Sequence, residues 1–413
     1  MTGTAGVLRA EAFPETAIRA RAATGAADAF PDPSGYGRVL YGYAPQVPAD
    51  VIDELRLVPP VFVPQRLAKL IDLTREPVYL DVELDTVVGG LPSALPLYLS
   101  AFGSTQAVSV DLGVAASAQA GRLGIPMVIG ENVTPVNGYG RAEEDAQRSL
   151  LARVVAYAEH AVDGRGGVVV QQSTEDADAE VWNLVYSDPN VQALLESGRL
   201  AFELKVGQGA KPGLGGMTVL DASAATRLAD AYTIDSVFGA DSDTLLRSSS
   251  PGTFTEEILR RQVLLMRNNY PRARIWVKLP PARDVREAAL VAWDVGADAV
   301  TVDGAEGGTG WAPVAFLQHV GLPLGECLRR IGQHPSCLLV SGRMWEGARV
   351  AKCLALGANA VGLGRAALIA VDTDAENGLV NLVECLSLEL QMLTSALGKY
   401  HVGALCAEDV WSP

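Results

Sequence analysis

The segment ELKVGQGAKPGLGGM (203–217) sets Lys205, Gln208 and Lys211 among five glycines and a proline. Glycines let backbone N–H groups turn toward a ligand, and two cations beside them suit an anionic group such as a carboxylate. Lys205 itself falls in an apolar run, where an ammonium must find a charge partner or lose its proton. Lys278, in RIWVKL (274–279), repeats that situation. A fixed ammonium near N1/O2 of a flavin stabilises the negative charge gained on reduction, so a flavin suits two such lysines. The plainer alternatives are a surface loop for 203–217 and lysines that reach solvent from strand ends.

Two further groups share this composition. DGAEGGTGWAP (303–313) offers Asp303 and Glu306 to position or deprotonate a substrate amine, with Glu306 the candidate general base. Its glycines, Gly308 among them, permit close approach to a planar ring. VSGRMWEG (340–347) and GLGR (362–365) supply backbone N–H groups at Gly342, Arg343, Gly364 and Arg365 that suit a monophosphate, with an arginine to neutralise it. The histidines (His160, His319, His334, His401) read as helix or loop residues and form neither a metal-spaced pair nor a triad. Cys327, Cys337, Cys353, Cys385 and Cys406 are dispersed, with no Cys-x-x-Cys, and read as buried thiols in a reducing, cytoplasmic compartment. No metal is expected.

These groups need a frame that brings strand ends together. Eight short apolar runs, at 96–102, 126–130, 167–172, 201–207, 274–279, 299–304, 336–342 and 360–365, read as strands buried on both faces. Helical patterns such as AEEDAQRSLLARVVAYAEHAV (142–162) and REAALVAWDV (286–295) separate them. That alternation predicts an α/β fold, a (β/α)8 TIM barrel, over residues 96–413, with a closing C-terminal helix. WDVGADAVTV (293–302) and LALGANAVGL (354–363) echo each other, with Gly296 and Gly357 as the left-handed residues that end a helix. Residues 1–95 are rich in turn residues and read as an irregular N-terminal layer over one barrel end. Residues 208–273 read as a long insertion after the fourth strand, on the face where barrel active sites sit.

Composition excludes several classes. The 413 residues are 49% hydrophobic and 20% charged, enough apolar material for a large core. A net charge of −15 argues against a nucleic-acid partner, which relies on a basic face. The most apolar stretch, Ala360 to Val371, is too short to span a bilayer and carries Arg365. The N-terminus lacks an apolar run of signal-peptide length.

KVGQGAKPGLGG (205–216), VKL (277–279), DGAEGGTGWAP (303–313) and RAALIA (365–370) together resemble the FMN-binding synthase domain of glutamate synthase. AFGST (101–105) and GEN (130–132) look like that family's first two strand ends, and the resemblance covers roughly 90–400. It implies an FMN-containing barrel whose family reaction reduces a 2-imino acid, made from 2-oxoglutarate and ammonia, to glutamate. Carried over, Lys278 and Gln171 would contact the flavin ring, and Ser100, Ala101 and Phe102 would line its edge. Gly342, Arg343, Gly364 and Arg365 would hold the phosphate, and Lys205, Gln208 and Lys211 would face substrate or flavin.

The departures are specific. The family's iron–sulfur cysteines should follow ALIA, where this chain reads VDTDAENG (371–378), so no cluster is expected. No amidotransferase domain is expected either. The acid of the family's KPGEGG is Leu214, its Pro-His-His-Asp segment becomes SSSPGTF (248–254), and the second glycine of its phosphate loop is Arg343. Three readings follow. The first is an FMN-dependent enzyme acting by hydride transfer at an amino or imino carbon of an amino-acid-like substrate. The second is redox-neutral amine transfer that makes an N-substituted glutamate. The third is a flavin-free scaffold subunit in which Arg343 fills the phosphate site. An α-hydroxy-acid oxidase fits less well, because no strand end supplies a histidine beside an arginine. A partner subunit delivering ammonia or electrons, and self-association, stay open.

Overall fold

The computed structural model describes residues 14–36, 38–41, 50–101, 112–130, 150–174, 179–207, 209, 217–229, 232–239, 242–248, 253–307 and 311–412. Eight parallel strands close into a barrel: β1 (Leu97–Leu99), β2 (Pro126–Ile129), β3 (Gly167–Ser173), β4 (Leu200–Lys205), β5 (Arg274–Leu279), β6 (Ala299–Asp303), β7 (Leu338–Ser341) and β8 (Ala360–Leu363). Each pairs with the next in chain order, and β8 returns to β1 through Gly362 opposite Tyr98. All eight runs read from the sequence are strands, shifted by at most a few residues at their ends. The outer ring is α1 (Leu112–Leu123), α2 (Leu150–His160), α3 (Ala179–Ser187), α4 (Glu256–Asn269), α5 (Val285–Asp294), α6 (Leu324–Ile331), α7 (Gly347–Ala355) and α8 (Arg365–Thr373), with α9 (Gly378–Ala396) closing the chain. Gly296 and Gly357 end α5 and α7 at φ 94° and 106°, the left-handed turn that the repeated motif requires. Among the described residues, no helix is long and apolar enough to cross a membrane.

Strand alternation sorts the barrel interior by height. Tyr98, Val128, Val169, Ala201, Trp276, Ala299, Leu339 and Ala360 form an inner apolar cluster, packed with Val88 and Leu91 from a hairpin at 86–93. That hairpin plugs the N-terminal end of the strands. The Trp276 indole N–H donates to the Gly89 carbonyl at 2.9 Å, and a Cβ on Gly89 would collide with the indole ring. Two residues further along the same strands the side chains turn polar: Gln171, Glu203, Lys278, Thr301 and Ser341. Burying each large apolar side chain below them contributes roughly 1.5–3 kcal/mol, and this offsets the cost of enclosing a polar layer above.

Two expectations change in detail. The N-terminal segment touches both barrel ends rather than one. Its hairpin fills the bottom, while Asp50 accepts the Gly325 N–H at the start of α6, near the C-terminal ends of the strands. Between these, Arg56–Leu57 pairs with Val410–Trp411, tying the N-terminal segment to the residues after α9. The insertion is also shorter than 208–273. Its described part is a three-stranded antiparallel sheet (Met217–Asp221, Thr244–Ser248, Thr233–Asp235) with a helix at Ala222–Leu228. The remainder, α4, is the barrel's own fourth helix. Thr255 caps its first turn through Ile258, and Leu259, Val263 and Met266 are buried in the main core.

Candidate functional site

The polar layer at the C-terminal end of the barrel is built from side chains that the register sets side by side. Gln171 on β3 lies opposite Glu203 on β4, and Lys278 on β5 lies between Lys205 of β4 and Thr301 of β6. Glu203 is fully enclosed. Gln171 Nε2 donates to its Oε2 at 2.5 Å, and the Thr301 hydroxyl donates to Oε1. Burial pushes the Glu203 carboxyl above its ordinary range, an effect that the nearby Lys278 ammonium opposes. Lys278 Nζ lies 3.0 Å from Asp303 Oδ2 with both side chains under a tenth exposed, and Ser341 donates to the other Asp303 oxygen. The layer thus holds two bonded groups across five strands, Gln171–Glu203–Thr301 and the ion-paired Lys278–Asp303–Ser341.

Two hydroxyls beside it have no partner among the described residues: Tyr98 Oη and Ser100 Oγ, both buried. They face Gly362 of β8, where any Cβ would overlap them. Burial, with the charges of Asp303 and Glu203, pushes the Tyr98 phenol well above its usual range, so it stays a neutral donor. A buried hydroxyl without a partner costs about 1–3 kcal/mol, a cost relieved by a ligand that reaches it.

The ends of β7 and β8 form a second group. Gly342 (φ 149°) and Arg343 (φ 54°) follow β7; Arg343 holds the left-handed conformation that costs a branched side chain most and suits glycine best. The Arg343 side chain leaves the loop toward Asp53, 2.8 Å from Nη1. After β8, Gly364 precedes α8 with open space where a Cβ would point, and no side chain caps that helix. Arg365 Nη2 donates to the Glu306 carbonyl at 2.7 Å. Burial, together with the positive charge of Arg343, lowers the proton affinity of Arg365. An uncapped helix start flanked by two mutually repelling guanidinium groups is a receptive place for an anion.

Over half the chain, residues 137–378, matches the family model described as a conserved region in glutamate synthase. The chain belongs to the glutamate synthase family. The glutamate synthase large subunit-like protein of Rhizobium meliloti (strain 1021) is 38% identical over 180 residues, 41% of this chain and 39% of that protein. The archaeal-type glutamate synthase (NADPH) of Thermotoga sp. (strain RQ2) is 34% identical over 185 residues, 41% of this chain and 34% of that one. The match thus spans little more than a third of these curated relatives. A mandelate oxidase mutant solved with a monooxide FMN adduct aligns with a TM-score of 0.54 at 18% identity, over 88% of this chain and 89% of that one. At that identity the likeness is one of fold.

Of the residues that the family resemblance singled out, the structure brings Ser100, Gln171, Lys205 and Lys278 to one end of the barrel and Gly342, Arg343, Gly364 and Arg365 to its β7–β8 corner. Ala101 follows Ser100 and is partly buried against the inner cluster. Phe102, Gln208, Lys211 and Gly308 lie outside the described residues. Glu306 stands in a filled setting. Its Oε1 pairs with Arg349 at 2.6 Å, the Leu324 N–H donates to both oxygens at 3.1 Å, and the side chain is 2% exposed. These contacts tie the β6 loop to α6 and α7.

Arg349 itself was not singled out from the sequence. It stands on α7 with 1% of its side chain exposed, and its donors go to Asp50 at 2.8 Å, Asp53 at 2.8 Å, Glu306 and the Gly342 carbonyl at 2.9 Å. Glu203, Thr301 and Ser341 were missed as well. Counting in twos from Lys205 and Lys278 reaches Glu203 and the level of Thr301, so period-two alternation held that signal. The histidines stand elsewhere: His334 stacks on Trp293 at 4.4 Å, and His160 Nδ1 lies 2.9 Å from the Ala156 carbonyl. Exposed Glu83, Asp85 and His401 bring ligand atoms within 4.8 Å of one another. Glu83 is taken by Lys69 at 2.7 Å, and His401 Nδ1 accepts the Gly403 N–H, which leaves the ring's other proton on Nε2. The cysteines vary more than expected: Cys327 and Cys353 are buried, Cys337 and Cys406 partly so, and Cys385 is exposed.

Proposed function

We propose that the chain is an FMN-dependent oxidoreductase acting at the amino or imino carbon of an amino-acid-like substrate. The reading is carried by one arrangement: a buried, oriented ammonium and two unpartnered hydroxyls at the barrel mouth, beside an uncapped, arginine-flanked helix start. Membership in the glutamate synthase family and the FMN seen in a barrel of the same fold support it. Bound there, FMN would accept or return a hydride at N5.

The chain's own residues would do the rest. Asp303, fixed by Ser341, holds the Lys278 ammonium in place for the pyrimidine side of the ring. Ser100, Ala101 and Gln171 would line the ring, with the Ser100 hydroxyl gaining a partner. Gly342, Arg343, Gly364 and Arg365 would take the phosphate through backbone N–H groups and guanidinium charge. Lys205, Gln208 and Lys211 would hold the substrate carboxylate, with substrate protons handled by groups other than Glu306. The direction of the Arg343 side chain, toward Asp53 and out of the loop, favours this reading over a scaffold whose phosphate site is filled.

The visible absorption spectrum of the purified protein tests the proposal. The expected result is a flavin spectrum, or one regained on adding FMN, with about one FMN per chain released on denaturation. A colourless protein that binds no added FMN would overturn it. Screening amino acids anaerobically for bleaching of the flavin band would then identify the substrate class.

A further inference from the structure

The anion corner is held by groups that no strand supplies. Three acids from two distant parts of the chain, Asp50, Asp53 and Glu306, converge on two arginines, Arg343 and Arg349. Arg349 is the hub: one guanidinium reaches Asp50, Asp53, Glu306 and the carbonyl of Gly342. Gly342 is the residue before left-handed Arg343, and its Cα lies against the Glu306 side chain. Asp53 completes a square, with one oxygen on Arg349 and the other on Arg343, each at 2.8 Å. Asp50 also accepts the Gly325 N–H at 3.0 Å, so the short helix Val51–Glu54 is pinned between α6 and α7.

This geometry has a mechanical consequence. Backbone N–H groups can grip a phosphate only if the loop that carries them keeps its shape, and a non-glycine residue at φ 54° pulls that loop toward a different shape. A guanidinium has a rigid fork of donors that can fix several acceptors at once. We infer that Arg349, with Asp53, is a positioning residue for the phosphate-binding loop. It holds Gly342 and Arg343 in the anion-gripping conformation, so the N-terminal segment is part of the cofactor site without touching the cofactor. The inference rests on the reading of this corner as the site of a flavin phosphate and adds to it which groups set its selectivity for a phosphorylated flavin.

The test compares two flavins that differ only in the phosphate. Full-length protein freed of bound flavin is titrated with FMN and with riboflavin, following quenching of flavin fluorescence, for the wild type and for Arg349→Lys, Arg349→Met and Asp53→Asn. The wild type is expected to prefer FMN. Supporting groups of this kind are typically worth about ten- to a hundredfold, so Arg349→Met should weaken FMN about tenfold or more while riboflavin changes less than about twofold. Arg349→Lys should fall between. Asp53→Asn guards against a folding failure of the Arg349 variants, because its side chain is at the edge of the cluster, 22% exposed. It should weaken FMN several-fold with riboflavin unchanged.

Equal losses for the two flavins would overturn the inference in favour of a general structural role. Tighter FMN binding by Asp53→Asn would overturn it too, showing that Asp53 competes for Arg343. Wild-type protein that binds both flavins without preference removes the inference and the phosphate assignment of this corner, and leaves the flavin reading of the barrel mouth. Wild-type protein that binds neither removes the functional proposal along with it.

Discussion

The chain contains two buried charge networks, and they are assembled on different principles. The mouth network of Gln171, Glu203, Lys278, Thr301, Asp303 and Ser341 comes entirely from neighbouring barrel strands, each contributing at the position its alternation dictates. The corner network of Asp50, Asp53, Glu306, Arg343 and Arg349 joins a short N-terminal helix to two loops and to α7, with Arg343 and Arg349 almost three hundred residues later. In the first, neutral hydroxyl and amide donors share the burden and one ammonium meets one aspartate. In the second, three carboxylates face two guanidinium groups, so ions rather than dipoles carry the structure. A network of dipoles gives up little when one member is lost and leaves groups free for a ligand. A network of ions is rigid and fails steeply.

That contrast can be broken most sharply at Arg349. Replacing it by methionine strands Asp50 and Glu306 in the interior, and the expected loss is about 3–5 kcal/mol of stability in a urea melt. If the loss were under about 1 kcal/mol, the corner would not be a structural brace. The counterpart at the mouth is Lys278→Gln, which keeps a donor for Asp303. Stability should change by less than it does for Arg349→Met, whereas the rate of flavin reduction by substrate should fall about a hundredfold, as when one preorganised donor is removed from an active site. Equal damage to stability by both variants would erase the distinction.

The pH response sharpens the same comparison. Burial, reinforced by Asp50 and opposed by Arg349, pushes the Glu306 carboxyl up to about 8. A proton held on Glu306 relieves the excess of three acids over two bases. A folded-state value above the unfolded one means that this contribution is complete below about 4.5, the ordinary carboxyl value, and lost as pH rises through 8. The melting temperature should therefore drop between pH 6 and pH 9 beyond the drop seen in Glu306→Gln, which carries its neutrality at every pH. Parallel curves for the two proteins would exclude a proton held on Glu306.

The smallest effect is expected at Thr301→Val, which removes one of two neutral donors to Glu203. The cost should be about 1–3 kcal/mol, with Gln171 retained as partner. A cost matching that of Arg349→Met would show the mouth to be as brittle as the corner.

The two networks also differ in how far the sequence exposed them. Strand alternation made Lys205 and Lys278 visible as charges in apolar runs, and the same count in twos leads from them to Glu203 and Thr301. Glycine-rich loops after particular strands marked Gly342 and Gly364. Glu306 was visible as an acid in a loop, but its partner Arg349 was not. The insertion's end was misplaced because α4 looks like any amphipathic helix, and only its packing against the core assigns it to the barrel.

By itself the sequence determined the barrel, its eight strands in order, and the membership of a known family, because strand periodicity, helix-ending glycines and loop motifs are local and repeat along the chain. The tertiary structure alone decided that the N-terminal segment reaches both barrel ends, that Arg343 turns to Asp53, and that Arg349 joins four groups. Those contacts pair residues with no common period and no fixed spacing. Their energy exists only once the barrel has closed and brought them within reach of a single guanidinium.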